Sequence, residues 1–174
     1  MKKVIFITGG ARSGKSAFSE AAAKTLGKDL VYIATMEPLD GEMKARIKKH
    51  VSRRGNDWKT IEEPLRVVEN MKKRDRTGRV FLLDCLTLFM SNHMLKGLSE
   101  SGLEKKATEL ARFCKSCKAS VVIVSNEVGM GLVPDNPLGR QFRDAQGIAN
   151  KIMAATAEEV YFLVSGIAIK IKSL

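Results

Sequence analysis

Cysteine is scarce and odd in number: Cys85, Cys114 and Cys117 are the three in 174 residues. That count offers no disulfide framework, which excludes a small stapled secreted scaffold and suits a reducing compartment. Cys114 and Cys117 form a CxxC, but it has no second pair for zinc and falls late in a helical segment, so two incidental helix cysteines are expected. Aromatic residues make up 6 %, with Trp58 the single tryptophan. The basic stretch around it, 44–79, therefore has no interleaved rings on which bases could stack. The net charge of +11 and pI near 9.7 would suit a polyanion. Solvated basic surface plus a few triphosphate contacts is the preferred account, and no nucleic-acid partner is expected. No apolar run approaches the length of about 20 residues that a membrane span needs. The start lacks the cleavage site of a secretory signal, so a cytoplasmic protein is expected. Repeats, low-complexity tracts and long Pro/Gly linkers are missing too, and a chain 44 % hydrophobic reads as one domain over 1–174.

What is present begins at once. A β-branched, apolar run over 3–8 passes directly into Gly9-Gly10-Ala11-Arg12-Ser13-Gly14-Lys15-Ser16, which satisfies the phosphate-loop pattern GxxxxGK[ST] at every fixed position. Glycines let backbone N–H groups converge on phosphate oxygens, and the helix that follows adds its positive dipole end. Lys15 would lie against the β- and γ-phosphates and the Ser16 hydroxyl on Mg²⁺. An alanine-rich helix over 16–26 supplies the context that an isolated motif would lack. A nucleoside triphosphate is the expected ligand.

Further apolar runs at 30–34, 80–84, 120–125 and 160–164 alternate with stretches of helical periodicity. Alternation of this kind predicts an α/β fold of the P-loop NTPase (RecA-like) type with a largely parallel central sheet. The run 80–84 ends in Asp84, the form of a buried strand that delivers a carboxylate to the Mg²⁺ side of a phosphate loop. The final segment 166–172 alternates with period two and follows a strand after only two residues, which predicts a C-terminal antiparallel edge hairpin with its lysines outward.

Met43, Ile47 and Val51 recur at i, i+4 and i+8, predicting a helix over 40–51 with His50 on the border of the apolar stripe. Neighbouring positive charge from Lys49, Arg53 and Arg54 would hold that imidazole neutral, the form that attacks phosphorus. Taken alone, His50 reads as a surface histidine rather than a nucleophile. His93, among Leu88, Phe89, Met94 and Leu95, reads as packing. Glu127 follows the 120–125 run at the strand end that faces a ligand crevice. It is either near the second substrate or a carboxylate that braces the Gly-rich loop after it. Arg12 is either a triphosphate contact or a solvated side chain beside the loop.

Read together, the ordered motifs resemble one family nearly end to end. They are Thr8 to Ser16, Tyr32-Ile33-Ala34-Thr35, Glu42-Met43 with Arg46-Ile47 and His50, Trp58-Lys59-Thr60-Ile61-Glu62 and Leu82-Leu83-Asp84-Cys85-Leu86-Thr87. Further on come Ser125-Asn126-Glu127-Val128-Gly129-Met130-Gly131-Leu132-Val133-Pro134, Arg140-Gln141-Phe142-Arg143-Asp144 and Val164-Ser165-Gly166-Ile167. The family is the bifunctional adenosylcobinamide kinase / adenosylcobinamide-phosphate guanylyltransferase of cobalamin synthesis. The resemblance implies an enzyme that phosphorylates adenosylcobinamide with ATP or GTP and then transfers GMP from GTP through a covalent guanylyl-histidine. The products are adenosylcobinamide-GDP and pyrophosphate.

By that resemblance His50 is the nucleophile, with Lys15 as its catalytic companion, and nucleotide contacts come from Gly9, Gly10, Ala11, Arg12, Ser13, Gly14, Lys15 and Ser16. Ala34, Thr35, Met36, Val51, Ser52, Arg53, Arg54, Glu62 and Asp84 complete the implied nucleotide set. Ser16 and Asp84 are the implied Mg²⁺ ligands. A corrinoid small molecule and a nucleoside triphosphate are the implied partners, in a homo-oligomer, a trimer. Two rival readings predict different behaviour: a plain P-loop kinase in which His50 is dispensable, and a nucleic-acid-stimulated NTPase with steeply salt-dependent binding.

Overall fold

The computed structural model describes residues 2–37 and 57–173. The helix expected over 40–51 lies outside them, together with His50, Val51, Ser52, Arg53 and Arg54.

Seven strands form one sheet in the order β3-β2-β4-β5-β1-β6-β7. They are β1 (Val4–Gly9), β2 (Asp29–Ala34), β3 (Trp58–Glu62), β4 (Arg79–Asp84), β5 (Ser120–Val124), β6 (Glu159–Val164) and β7 (Ile167–Ser173). Every pairing is parallel except β6 with β7. Among the described residues five helices accompany them: α1 (Lys15–Leu26), α2 (Val67–Lys72), α3 (Leu86–Leu95), α4 (Glu100–Ser116) and α5 (Pro137–Thr156). The parallel sheet and the antiparallel edge hairpin agree with expectation.

The strands are nearly continuous apolar runs because both faces are covered. Val4, Phe6, Val31, Ile33, Phe81, Leu83, Val121 and Ile123 pack on one side against α2, α3, α4 and α5. Their neighbours Ile5, Ile7, Leu30, Tyr32, Val80, Leu82, Val122 and Val124 point to the other side, where α1 lies with Ala23, Phe18 and Leu26. This period-two split fixes register, since a slip by one residue would exchange the two cores. It also fixes where polar residues at the strand ends point: Thr8 and Ser125 continue the first face, Asp84 the second.

Helix starts follow local chemistry. The Ser99 hydroxyl accepts from Gly102 N–H at 3.3 Å to open α4, and Asn136 Oδ1 accepts from Gly139 N–H at 2.7 Å to open α5. Pro137 occupies the first turn of α5, where its missing N–H costs nothing.

Strand β3 was not expected, since Trp58 to Glu62 has two exposed polar residues, Lys59 and Thr60, at its centre. It is an edge strand held by parallel pairing to β2, from Leu30 opposite Trp58 to Ala34 opposite Glu62. The lysines of β7 also differ in part from expectation. Lys170 turns back to Glu159 at 3.3 Å, 5.2 Å from the Tyr161 ring centre. Lys172 donates to the carbonyls of Ala154, Ala155 and Ala157, at the negative end of α5. Lys170 is still exposed, and Ile167, Ile169 and Ile171 are exposed as well.

Candidate functional site

The carboxyl ends of the parallel strands carry the candidate residues. After β1 the chain turns through Gly9 (φ +149°), Arg12 (φ +57°) and Gly14 (φ +94°) before α1 begins at Lys15. Gly9 admits no side chain: a Cβ there would lie 2.4 Å from the Leu163 carbonyl oxygen. Arg12 is the sole non-glycine residue of the loop with positive φ, and it is exposed. A second tie comes from the β6–β7 turn, where Gly166 N–H donates to Ser13 O at 3.1 Å.

Lys15 is buried, 7 % exposed, and its ammonium donates to Gly9 O at 3.0 Å and Gly10 O at 2.5 Å. An ammonium has three donors, so one remains for a phosphate oxygen. Burial lowers its pKa, an effect opposed by neighbouring Cys85 and Asp84. The charge is thus held in a low-dielectric position aimed by the loop's own carbonyls. Two hydroxyls close by, those of Thr8 and Ser13, are buried and have no hydrogen-bond partner among the described residues. Buried polar groups are ordinarily paired, so the loop interior has unspent hydrogen-bonding capacity.

One rung of the sheet gathers three further candidates: Ala34 stands opposite Glu62 on one side and Asp84 on the other. The Tyr32 hydroxyl donates to Asp84 Oδ2 at 2.6 Å and orients the carboxylate on the α1 face. Thr35 is fully buried; its hydroxyl donates to Cys85 O at 2.8 Å and accepts from Cys85 N–H at 2.7 Å. The Asp84–Cys85 peptide is cis. Asn92 Nδ2 donates to Thr35 O at 2.8 Å, tying α3 to the end of β2. The buried Cys85 thiol is pushed up to about 12 by desolvation and by Asp84, so it is a neutral spacer at neutral pH.

On the other side of the phosphate loop lies a cleft of about 550 Å³. Gly10 to Ser13 form one wall, Glu127, Val128, Met130 and Gly131 the second, and Phe162 to Ser165 the floor. Glu127 N–H donates to Gly9 O at 3.0 Å, and its Oε1 accepts from Gly129 N–H at 2.8 Å. The carboxylate therefore braces its own loop, and Glu127 lines the cleft.

The family model for cobinamide kinase / cobinamide phosphate guanyltransferase matches residues 5–171. The chain belongs to that family. Bifunctional adenosylcobalamin biosynthesis protein CobU of Escherichia coli (strain K12) is 39 % identical, over 97 % of this chain and 99 % of that protein. CobP of Pseudomonas aeruginosa, named likewise, is 37 % identical over 95 % of each. Among solved structures, the flagellar accessory protein FlaH from Methanocaldococcus jannaschii aligns with a TM-score of 0.52 at 14 % identity, covering 98 % of this chain and 78 % of that one. The RadB recombinase aligns with a TM-score of 0.52 at 13 % identity, covering 92 % of this chain and 73 % of that one. Both likenesses are of fold, and they agree with the RecA-like P-loop architecture.

Within this cobinamide kinase / guanyltransferase chain, Gly9 to Ser16, Ala34, Thr35, Met36, Glu62, Asp84 and Glu127 all fall on the carboxyl edge of the sheet. Among the described residues no group of three or more His, Cys, Asp or Glu forms a metal cluster. The Ser16 hydroxyl and the Asp84 carboxylate are hard oxygen groups of the kind that suits a magnesium ion. His93 is a packing residue. Its ring meets Phe89 edge-on at 4.8 Å, Nε2 donates to Leu65 O at 3.2 Å, and burial lowers its pKa. Cys114 and Cys117 are buried, and desolvation raises both thiols. No described helix is long and apolar enough to cross a membrane.

Sequence reading missed Tyr32 as the support of Asp84 and Asn92 as the support of Thr35. It also missed a buried polar cluster of Thr87, Ser125, Gln146 and Asn150. The signal for the last was legible: Gln146 and Asn150 are spaced i, i+4 inside the apolar stripe of Ala145, Ala149 and Met153.

Proposed function

We propose that this protein phosphorylates the terminal hydroxyl of the aminopropanol arm of adenosylcobinamide with ATP or GTP, then transfers GMP from GTP onto the phosphate so formed. Adenosylcobinamide-GDP and pyrophosphate are the products. The observation that carries this reading is the family match along residues 5–171.

The phosphate-loop geometry supports the division of labour. Backbone N–H groups from Gly9 to Ser16 and the start of α1 bind the triphosphate, and the remaining Lys15 donor meets a β- or γ-oxygen as charge builds there. Arg12, Arg53 and Arg54 add positive charge around the phosphates. Ala34, Thr35, Met36, Val51, Ser52 and Glu62 complete the nucleotide contacts. Ser16 and Asp84 are the residues that would hold Mg²⁺, which when bound neutralises phosphate charge.

In the guanylyl step the neutral imidazole of His50 attacks the α-phosphorus of GTP, forming the N–P bond as the bond to pyrophosphate breaks. The phosphate of the corrinoid then displaces histidine from GMP. Dividing the transfer spares the site a direct encounter between two polyanions. Glu127 lies on the acceptor side of the cleft. The exposed Val164, Ile167, Ile169 and Ile171 suit a homo-oligomer, a trimer, which sedimentation would test.

The testing experiment supplies adenosylcobinamide with ATP, then GTP, and identifies products by mass spectrometry. Sequential appearance of the phosphate and the GDP derivative with released pyrophosphate is expected. Phosphate formation without any GDP derivative would leave only the kinase.

A further inference from the structure

Asn126, the first residue beyond Ser125, has both backbone groups taken by side chains from different helices. Its N–H donates to Thr87 Oγ1 at 2.7 Å, and its carbonyl accepts from Asn150 Nδ2 at 3.2 Å. Thr87 belongs to α3 and Asn150 to α5. Between them the hydrogen bonds close into a ring. The Ser125 hydroxyl donates to Asn150 Oδ1 at 2.6 Å, and Gln146 Nε2 donates both to Ser125 Oγ at 2.9 Å and to Asn150 Oδ1 at 2.8 Å. With the Ser125 proton committed to Asn150, the 3.3 Å contact between the Thr87 and Ser125 hydroxyls has Thr87 as donor. Protons therefore run one way, from Asn126 N–H through Thr87, Ser125 and Asn150 back to Asn126 O.

All four side chains are buried: Ser125 and Gln146 are 0 % exposed, Thr87 6 % and Asn150 7 %. Gln146 Oε1 has no partner among the described residues, but the closed circuit of Thr87, Ser125, Asn150 and the Asn126 backbone favours one arrangement, because displacing any of these leaves a buried group unpaired. The backbone it specifies is the one that carries Glu127, whose N–H is tied in turn to Gly9 O and whose Oε1 holds Gly129 N–H. None of the four members contacts the phosphate loop through a hydrogen bond of its own. Their effect reaches the site through the 126–131 wall of the cleft.

We propose that Thr87, Ser125, Gln146 and Asn150 are positioning residues for the acceptor, fixing Asn126 and Glu127 beside the phosphate loop and so setting transfer to the corrinoid without setting nucleotide affinity. This rests on the reading that the Glu127 side of the cleft takes the acceptor.

The test uses the full chain with Thr87→Val, Thr87→Ser and Asn150→Ala, and with Glu127→Gln beside them. Valine has threonine's shape without the hydroxyl, and serine restores the hydroxyl. Thr87→Val and Asn150→Ala are expected to lower kcat/KM for adenosylcobinamide by about tenfold, with the Kd for GTP within about twofold of wild type. Thr87→Ser is expected to recover most of the loss. Equal losses for acceptor and nucleotide, unchanged acceptor kinetics in a folded Thr87→Val, or failure of serine to rescue would overturn the proposal.

Glu127→Gln separates the two readings: normal acceptor kinetics in that variant removes Glu127 from the acceptor role, while Thr87→Val still decides the ring. If the wild type does not turn over adenosylcobinamide at all, amide hydrogen exchange decides instead. Thr87→Val should speed exchange selectively over 126–129, and an unchanged pattern there would overturn the positioning role.

Discussion

At the amino ends of the strands nearly every charge has found its partner, whereas at the carboxyl ends polar groups stand ready for something else. Asp29 takes both Arg76 and Arg79 at 2.8 Å, and the Asp75 carboxylate accepts from the N–H groups of Lys118 and Ala119. Glu159 holds Lys3, Lys170 and the Tyr161 hydroxyl, while Glu158 accepts from Val4 N–H. Opposite them, the buried Lys15 ammonium donates to two backbone carbonyls, Thr8 and Ser13 lack partners among the described residues, and three loop residues take positive φ. The contrast is one of purpose: the first edge stabilises the sheet, and the second gives up stability to meet phosphate.

Substitutions at the two edges should therefore separate activity from stability. Lys15→Ala is expected to lower both transfer activities by about 10²–10³-fold with melting temperature unchanged or raised, since it removes a desolvated charge; calorimetry beside steady-state kinetics checks both halves. Gly9→Ala marks where the division fails. Its new methyl meets the Leu163 carbonyl at 2.4 Å, so a carboxyl-edge residue should cost about 3 kcal/mol of stability, read from the denaturant midpoint.

At the opposite edge, Asp29→Asn strands Arg79, whose side chain is 9 % exposed. A loss of about 2 kcal/mol with kcat intact is expected, and a catalytic defect in the folded variant would erase the contrast. The smallest effect concerns pH. Hydrogen bonds from Lys3 and Tyr161 depress Glu159 to about 2 from its usual 4.5. A depressed carboxyl stabilises above the unfolded value, so the contribution is complete above about pH 4.5 and is lost as pH falls towards 2. Lys3 and Lys170 are 39 % and 41 % exposed, so solvent screening limits it to about 1 kcal/mol. Glu159→Gln should flatten that part of the acid-stability curve.

The carboxyl edge was the more legible of the two. The phosphate loop is a local pattern in which each residue type has a fixed geometric duty, so Gly9 to Ser16 could be read without knowing the fold. A buried apolar strand ending in a carboxylate is a weak signal alone, and Asp84 was legible only because the phosphate loop stood upstream of it. The amino edge, by contrast, is assembled from partners far apart in the chain: Asp29 with Arg79, and Lys3 with Glu159. No periodicity announces such pairs.

Strand β3 escaped for a related reason. An edge strand with Lys59 and Thr60 exposed lacks the apolar run that marks its neighbours, and only pairing with β2 defines it. The outward reading of the β7 lysines fits the exposed Lys170 but not the half-buried Lys172, because alternation identifies two faces without saying which is wet. The α5 carboxyl end drew Lys172 in, Lys170 reaches Glu159 while staying exposed, and the isoleucines are exposed too. His50 lies outside the described residues, and the role proposed for it rests on the family resemblance.

The most direct test of the carboxyl edge as a two-step transfer site is covalent labelling. Wild type, Lys15→Ala and His50→Asn would be incubated with Mg²⁺ and GTP labelled at the α-phosphorus, then resolved by denaturing electrophoresis. The account predicts acid-labile label on wild type and none on either variant. Label persisting on His50→Asn, or none on a folded wild type that binds GTP, would contradict it.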